Sequence, residues 1–222
     1  MLVRDYMTRH PIMVAPEAAV AEAQRLMMEN HVRQLPVVGA GKRLVGLVTR
    51  QRLAVSPEQL ASLDVWEITR FLNGLTVGKV MVTGDDLHRV GPDATLEEAA
   101  GLLIENKIGG LPVVEEGDVV VGIITETDLL IELQHLLGGH DAGWRVVIRV
   151  PDRSGEFRKI TKVISDHGWG MMAMGSVRSP RAAESWDVII KVRHCSREEL
   201  LAALTAIPDQ EIMDVRETAG RT

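Results

Sequence analysis

Apolar residues return at three- and four-residue spacing over Val20, Ala23, Leu26 and Met27, and again over Leu96, Ala99, Leu102 and Leu103. That spacing is the stripe of an amphipathic helix. Each stripe is followed by an unbroken Leu-Pro-Val-Val run, at 35–38 and 111–114, short enough for a buried strand. A glycine-bearing turn comes next (Gly39-Ala40-Gly41; Glu116-Gly117), then a second strand over Leu44–Thr49 and Val119–Thr125. A further helix is expected from near Gln51 and from near Thr127. A short extended entry precedes each stripe and ends at Pro16 or Pro92, placing Glu17 or Asp93 in the first helical turn, where the helix dipole favours an acid. The predicted unit is β-α-β-β-α, written twice.

The two units are one sequence duplicated. Residues 16–53 align without gaps on 92–129 at a constant offset of 76, with 16 identities in 38 positions; unrelated segments would share about three. A leading segment repeats too, Met7 pairing with Met81 at an offset of 74. The second copy therefore carries two extra residues in its entry loop, around Gly84–Asp86. A unit of roughly 55–60 residues buries little core alone, and two copies packed through their strands would solve that problem. Between them, Ser56-Pro57-Glu58 reads as a helix start. Leu60, Leu63, Ile68, Phe71 and Leu72 form an apolar face there, an extension of the second helix or a partner-docking surface.

The pattern changes at the glycines 138, 139 and 143, which read as a linker. Beyond it, Val146, Ile148 and Val150 alternate as in a strand, and Phe157, Ile160, Val163 and Ile164 form a helix face closed by Gly168. Strands are expected over Met171–Val177 and Ser185–Val192. Ser196 and Glu199 have capping-box spacing before a helix with Leu200, Leu201, Leu204 and Ile207, and Gln210–Arg216 makes a last strand. The order β-α-β-β-α-β is the ferredoxin-like arrangement. The expected fold class is α+β, with boundaries at 1–76 (first repeat with its extension), 77–137 (second repeat), 138–143 (linker) and 144–217 (C-terminal domain).

Composition narrows the function classes. A net charge of -6 gives no general attraction for nucleic acid or anionic membranes, and aromatics at 3 % offer few stacking platforms. One cysteine, Cys195, excludes an intrachain disulfide and any multi-cysteine metal site. No apolar run approaches 18 residues, and the opening MLVRDYMTRH lacks a signal-peptide core, so a cytoplasmic protein is expected. No catalytic set stands out, and an enzyme is not expected. His135, His140 and Asp141 cluster at the linker, where glycines favour solvated side chains, and no metal site is expected.

Two copies ending in Gly46-Leu-Val-Thr49-Arg-Gln-Arg52 and Gly122-Ile-Ile-Thr125-Glu-Thr-Asp128, each with its LPVV strand, resemble the CBS domain pair, or Bateman module, over about residues 1–137. The resemblance implies two clefts between the repeats that take adenosine nucleotides or related adenosyl compounds. In the second copy Asp128 would accept the ribose hydroxyls and Thr125 would meet ribose or phosphate, since a carboxylate can accept from both hydroxyls of a diol. Gly109 and Gly110 would let a ligand approach the backbone, and Asp86 and Gly91, in the entry strand, would flank the base. The first copy departs. Arg52 stands in place of the acid and cannot accept from a diol. Its cleft, with His10, Ala15, Arg33, Gln34, Thr49 and Arg52, is either empty or meets phosphate or carboxylate through Arg33, Gln34, Arg50 and Arg52; a further alternative has Arg33 reach across to phosphate held in the Asp128 cleft.

The C-terminal pattern, with Val-Pro-Asp152-Arg-Ser-Gly155 opening its first helix and Gly168 closing it, resembles the ACT domain over 144–217. That family often binds amino acids, commonly across a dimer interface, at the loop after the first strand, here formed by Asp152, Arg153, Ser154 and Gly155. Gly170 replaces an asparagine usual in amino-acid binders, which favours a dimerising or signal-relaying role. Two CBS copies followed by an ACT domain are similar to the acetoin-utilisation protein B family. The implied function is a ligand-sensing regulator with no obligatory cofactor. Its regulatory ligand would be AMP, ADP, ATP or S-adenosylmethionine, and it would act as a homodimer on a partner enzyme. The alternative is a structural module with vacant clefts that scaffolds a metabolic enzyme.

Overall fold

A single helical turn, Val3–Tyr6 (α1), and a two-residue strand, Thr8–Arg9 (β1), open the chain in the computed structural model, which describes residues 1–53 and 74–220. The first stripe forms α2 (Val20–Glu29), followed by β2 (Gln34–Val38) and β3 (Leu44–Thr49). The second forms α3 (Leu96–Asn106), β4 (Gly110–Glu115), β5 (Val119–Thr125) and α4 (Glu126–Leu136). The expected apolar face over 54–73, and the body of the first copy's second helix, lie outside the described residues.

The duplication is exact enough to repeat irregularities. Both hairpins slip register at the same step, between Val37 and Val38 and between Val113 and Val114. Both turns place Gly then a non-glycine at positive φ: Gly41 and Lys42, Gly117 and Asp118. The helix starts differ from expectation. After Pro16 and Pro92 the chain turns before it winds, so Glu17 and Asp93 precede the helices. Thr95 caps α3 instead: its Oγ1 accepts from Glu98 N at 3.1 Å while Glu98 accepts from Thr95 N at 2.7 Å, a reciprocal box. Ala19 holds the same place in α2 and makes no side-chain cap. Asp93 pairs with Arg4.

The leading segments cross over. Val3 N donates to Ala94 O and Arg4 N to Pro92 O, while Val77 N donates to Ala18 O and Gly78 N to Pro16 O. Val3 is buried with Val90, Leu96, Ala99, Leu103, Leu111 and Ile124 of the second copy. Val77 is buried with Val14, Val20, Ala23, Leu35 and Val48 of the first. Each copy's core is thus completed by the segment that precedes the other. The same exchange builds the sheet β1-β5-β4, in which Thr8 and Arg9 face Ile123 and Gly122, and an antiparallel bridge between Leu47 and Val82.

The chain divides into two units, Met1–Leu129 and Leu130–Thr222, with α4 running through the boundary. In the second unit lie β6 (Gly143–Pro151), α5 (Glu156–Asp166), β7 (Gly170–Arg178), β8 (Ser185–Arg193), α6 (Arg197–Thr205) and β9 (Glu211–Thr218). Their sheet is antiparallel in the order β7-β8-β6-β9, the βαββαβ ferredoxin-like topology. Alternate residues Val146, Ile148 and Val150 of β6 and Val188, Ile190 and Val192 of β8 bury one face against Ile160 and Ile164 of α5 and Leu200 and Leu204 of α6.

Candidate functional site

The antiparallel register of β4 and β5 sets Gly110 opposite Thr125, and α4 begins at the next residue. Glu126 N donates to Gly109 O at 3.2 Å, which fixes the strand-to-helix step. There the side chains of Thr125 and Asp128 close on each other. Thr125 N and Thr125 Oγ1 both donate to Asp128 Oδ2 at 2.8 Å, and Asp128 N donates to Thr125 Oγ1 at 3.4 Å. The carboxylate sits in the first turn of α4, where free amides and the helix dipole favour it. Both residues are half-buried. Asp128 Oδ1 has no hydrogen-bond partner among the described residues, so the capped carboxylate keeps one oxygen able to accept from a sugar hydroxyl.

The first copy builds the same step with other side chains. Gln34 lies opposite Thr49, Arg50 N donates to Arg33 O at 2.9 Å, and Arg52 N donates to Thr49 Oγ1 at 3.3 Å. The backbone half of the cap is kept. Arg52 cannot return the bond as Asp128 does, because a guanidinium only donates.

Gly109 and Gly110 admit a side chain of the other copy. A Cβ at Gly110 would stand 2.9 Å from Gln34 Oε1 and 3.0 Å from its Nε2, and one at Gly109 would stand 3.1 Å from Nε2. The close approach expected of a ligand at this backbone is made by the Gln34 carboxamide. The structure therefore brings Gly109, Gly110, Thr125 and Asp128 together, with Arg33, Gln34 and Thr49 adjoining them. Asp86 is exposed in a 3-10 turn, Gly84–Asp86, rather than in a strand, because the two inserted residues curl the entry. His10 is exposed at positive φ, its N–H donating to Val121 O at 3.3 Å. Parallel bridges join Val14 to Val37 and Val90 to Val113. Ala15 and Gly91 follow these bridges, toward the ends of β2 and β4 away from Gln34 and Gly110, on the order of 13 Å along the strand. Glu126 was not singled out from the sequence, yet its carboxylate lies 3.5 Å from the Cβ position of Gly109. Its signal was its pairing with Arg50 in the repeat.

In the second unit, Asp152, Arg153, Ser154 and Gly155 line an open hollow of about 630 Å³ with Ser176 and Trp186. Gly155 takes φ 92° to start α5, a conformation that favours glycine. Arg153 is engaged within the protein, donating to Glu156 at 2.6 Å and to Asp209 at 2.7 Å. These bonds raise its pKa further, Asp209 foremost. Asp152 pairs with Arg178 at 3.3 Å. Burial pushes the Cys195 thiol up, with the Glu199 charge adding to it, which disfavours a reactive thiolate. Among the described residues no cluster of three His, Cys, Asp or Glu could hold a metal ion, and no helix is long and apolar enough to cross a membrane.

The CBS domain family model matches residues 3–56 and 77–135. Inosine-5'-monophosphate dehydrogenase of Korarchaeum cryptofilum is 34 % identical over 142 residues, which are 64 % of this chain and 26 % of that enzyme. The chain spans about a quarter to a half of the length of such curated relatives, and the similarity to the dehydrogenase runs through the CBS region. A crystal structure named for an acetoin utilization protein (AcuB) of Vibrio cholerae is 35 % identical with a TM-score of 0.50, covering 64 % of this chain and 98 % of that one. The CBS domain pair of protein MJ0100, in complex with 5'-methylthioadenosine and S-adenosyl-L-methionine, is 25 % identical with a TM-score of 0.51 at the same coverages.

Proposed function

This chain belongs to the CBS domain family, and from that premise we propose that it is a regulatory protein sensing an adenosine nucleotide or related adenosyl compound at Thr125 and Asp128. The observation that carries the reading is the half-engaged carboxylate. Asp128 is held by Thr125 through Oδ2, and Oδ1 is without a described partner. A preset acceptor loses little freedom when it meets a ribose hydroxyl. The similar MJ0100 pair, with its two adenosyl ligands, supports the ligand class. The role is regulatory rather than catalytic, with occupancy biasing the protein between two states of different ligand affinity.

The relay to a partner enzyme is assigned to the C-terminal domain, read as an ACT domain over 144–217. Its ferredoxin-like topology supports that reading. The internal engagement of Arg153 supports relay over amino-acid capture at 152–155. A homodimer is supported by apolar side chains left exposed on α4, Leu130 at 64 % and Leu136 at 55 %, and by Met28 and Ile104, exposed at matching positions of α2 and α3. The scaffold reading, with vacant clefts, draws on Gln34 at Gly109–Gly110 and on Arg52.

The test is thermal shift and calorimetry with AMP, ADP, ATP and S-adenosylmethionine. A ligand at 100-fold excess over its Kd should stabilise the protein by about 2.7 kcal/mol. Asp128→Ala should weaken that ligand at least about tenfold with an unchanged circular dichroism spectrum. Equal affinity in the two proteins would reject the site, and a panel without any shift would leave the scaffold.

A further inference from the structure

Among the described residues two charged side chains are buried to 2 % exposure, Glu156 and Lys191. Glu156 is met by Arg153, Lys159 and Gln210. No carboxylate among the described residues pairs with Lys191, whose Nζ donates to Gly138 O. Its neighbours on β8, Ile190 and Val192, point into the core, so Lys191 lies on the opposite face of the sheet. Taking an ammonium out of water without a counter-ion is costly, and a methionine of similar length would fill the place without that cost. What the ammonium adds is a bond to a carbonyl just past the C-terminus of α4, where the helix dipole is negative.

The end of α4 is shaped to be seated there. Gly138 N donates to His135 O and Gly139 N to Gln134 O, each at 2.8 Å, with Gly138 at φ 65°, the paired bonds of a Schellman turn. Gly138 is buried, and a Cβ there would stand 2.9 Å from Lys191 Cδ and 3.2 Å from Ala173 Cβ. Leu137 Cδ2 lies 3.5 Å from the Cβ position of Gly175. Ala173 pairs with Lys191 and Gly175 with Ile189, so small residues of β7 form the seat and the lysine of β8 fastens it. Seat and lysine both lie within Leu130–Thr222.

α4 is one helix, Glu126–Leu136, with Asp128 in its first turn, and it is about 16 Å long. Resting on the sensor reading, we propose that Lys191 is a positioning residue that latches α4 to the C-terminal sheet and makes α4 the route by which occupancy at Asp128 reaches that domain. A packed rigid element of this kind carries coupling when its two ends are both held. Asp128 is held at one end by the ligand, and Gly138 at the other by Lys191.

Hydrogen exchange read by mass spectrometry on the full chain, alone and with AMP, ATP or S-adenosylmethionine, tests this on the native protein, Lys191→Met and Gly138→Ala. Met keeps the packing and removes the donor, while Ala forces the seat apart. Without ligand, both variants should exchange at least about tenfold faster than the native chain over 130–139 and at the native rate in α3. A compound that binds should slow exchange in β7 and β8 of the native chain as well as around Asp128. Each variant should keep the slowing around Asp128 and lose it in β7 and β8, a loss that a merely structural lysine would not produce. Native rates over 130–139 in both variants, slowing in the native chain confined to residues before 130, or slowing in β7 and β8 that survives in both variants overturns this inference and leaves the sensor reading in place. Failure of all three compounds to bind the native chain overturns the sensor reading and the route with it.

Discussion

Glu156 is a carboxylate at 2 % exposure on the first residue of α5. Burial pushes its pKa up, but hydrogen bonds from Gln210, Lys159 and Arg153 and the Arg153 charge outweigh burial and hold it at about 2. A folded-state value below the ordinary 4.5 means that folding favours the ionised form. The stabilisation is complete above the unfolded value and is lost as pH falls from about 4.5 toward 2, on the order of 3 kcal/mol in all. Urea titrations followed by tryptophan fluorescence should show the midpoint falling across that window. In Glu156→Gln the fall should be smaller, since the amide cannot ionise, and the variant should be less stable at neutral pH because Arg153 and Lys159 lose their charged partner. A native-like acid profile in Glu156→Gln would place the pH dependence elsewhere. The contrast with Asp128 is informative. Glu156 is fully engaged by its neighbours and acts structurally, whereas Asp128 keeps one oxygen without a partner among the described residues.

The glycine of each Gly-x-x-Thr step is explained by a crossing of elements. A Cβ at Gly46 would stand 2.9 Å from Val82 O, and one at Gly122 would stand 3.1 Å from Thr8 O, with Met81 and Met7 also crowding the two positions. A methionine can swing aside, but a backbone carbonyl paired across β1–β5 or the Leu47–Val82 bridge cannot move without breaking that pairing. Gly46→Ala and Gly122→Ala should each cost about 2 kcal/mol by overpacking. Gly101→Ala, in α3 with no atom within 4 Å of its Cβ position, should add about 0.5–1 kcal/mol. Urea midpoints of the three variants check the signs. The helices and hairpins were legible because their cause is local: period, turn glycines and the Thr-x-x-Asp step all lie within a few residues. The Thr95–Glu98 box went unread, because the acid Asp93 drew the expected helix start forward, and the pairing of Asp93 with the distant Arg4 was not visible in the sequence. Gln34 meeting Gly110 and Arg153 meeting Asp209 were illegible for the same reason, since each joins residues far apart in the chain. The candidate site was therefore legible at the local Thr125–Asp128 step, whereas the approach of Gln34 to Gly109 and Gly110 was not.

At the scale of the molecule, duplication alone does not say which leading segment serves which core. Sequence order suggests that each copy keeps its own, but the chain exchanges them. Val3 and Val77, both at 0 % exposure, fill cores built by the second and the first copy respectively. The exchange makes the pair one cooperative body, since neither small core closes without chain that precedes the other. Removing two methyl groups from either valine should open a cavity costing about 2 kcal/mol, and the site of the damage distinguishes the two topologies. In Val3→Ala, amide exchange should quicken first in α3 and β4, the elements that hold Val3, and with them at the strand end carrying Gly110. In Val77→Ala it should quicken first in α2 and β2. Hydrogen exchange read by mass spectrometry on peptides from the two copies separates these patterns. Val3→Ala loosening α2 and sparing α3 would show that each segment folds on its own repeat, and the joint that brings Gln34 to Gly110 would lose its structural support.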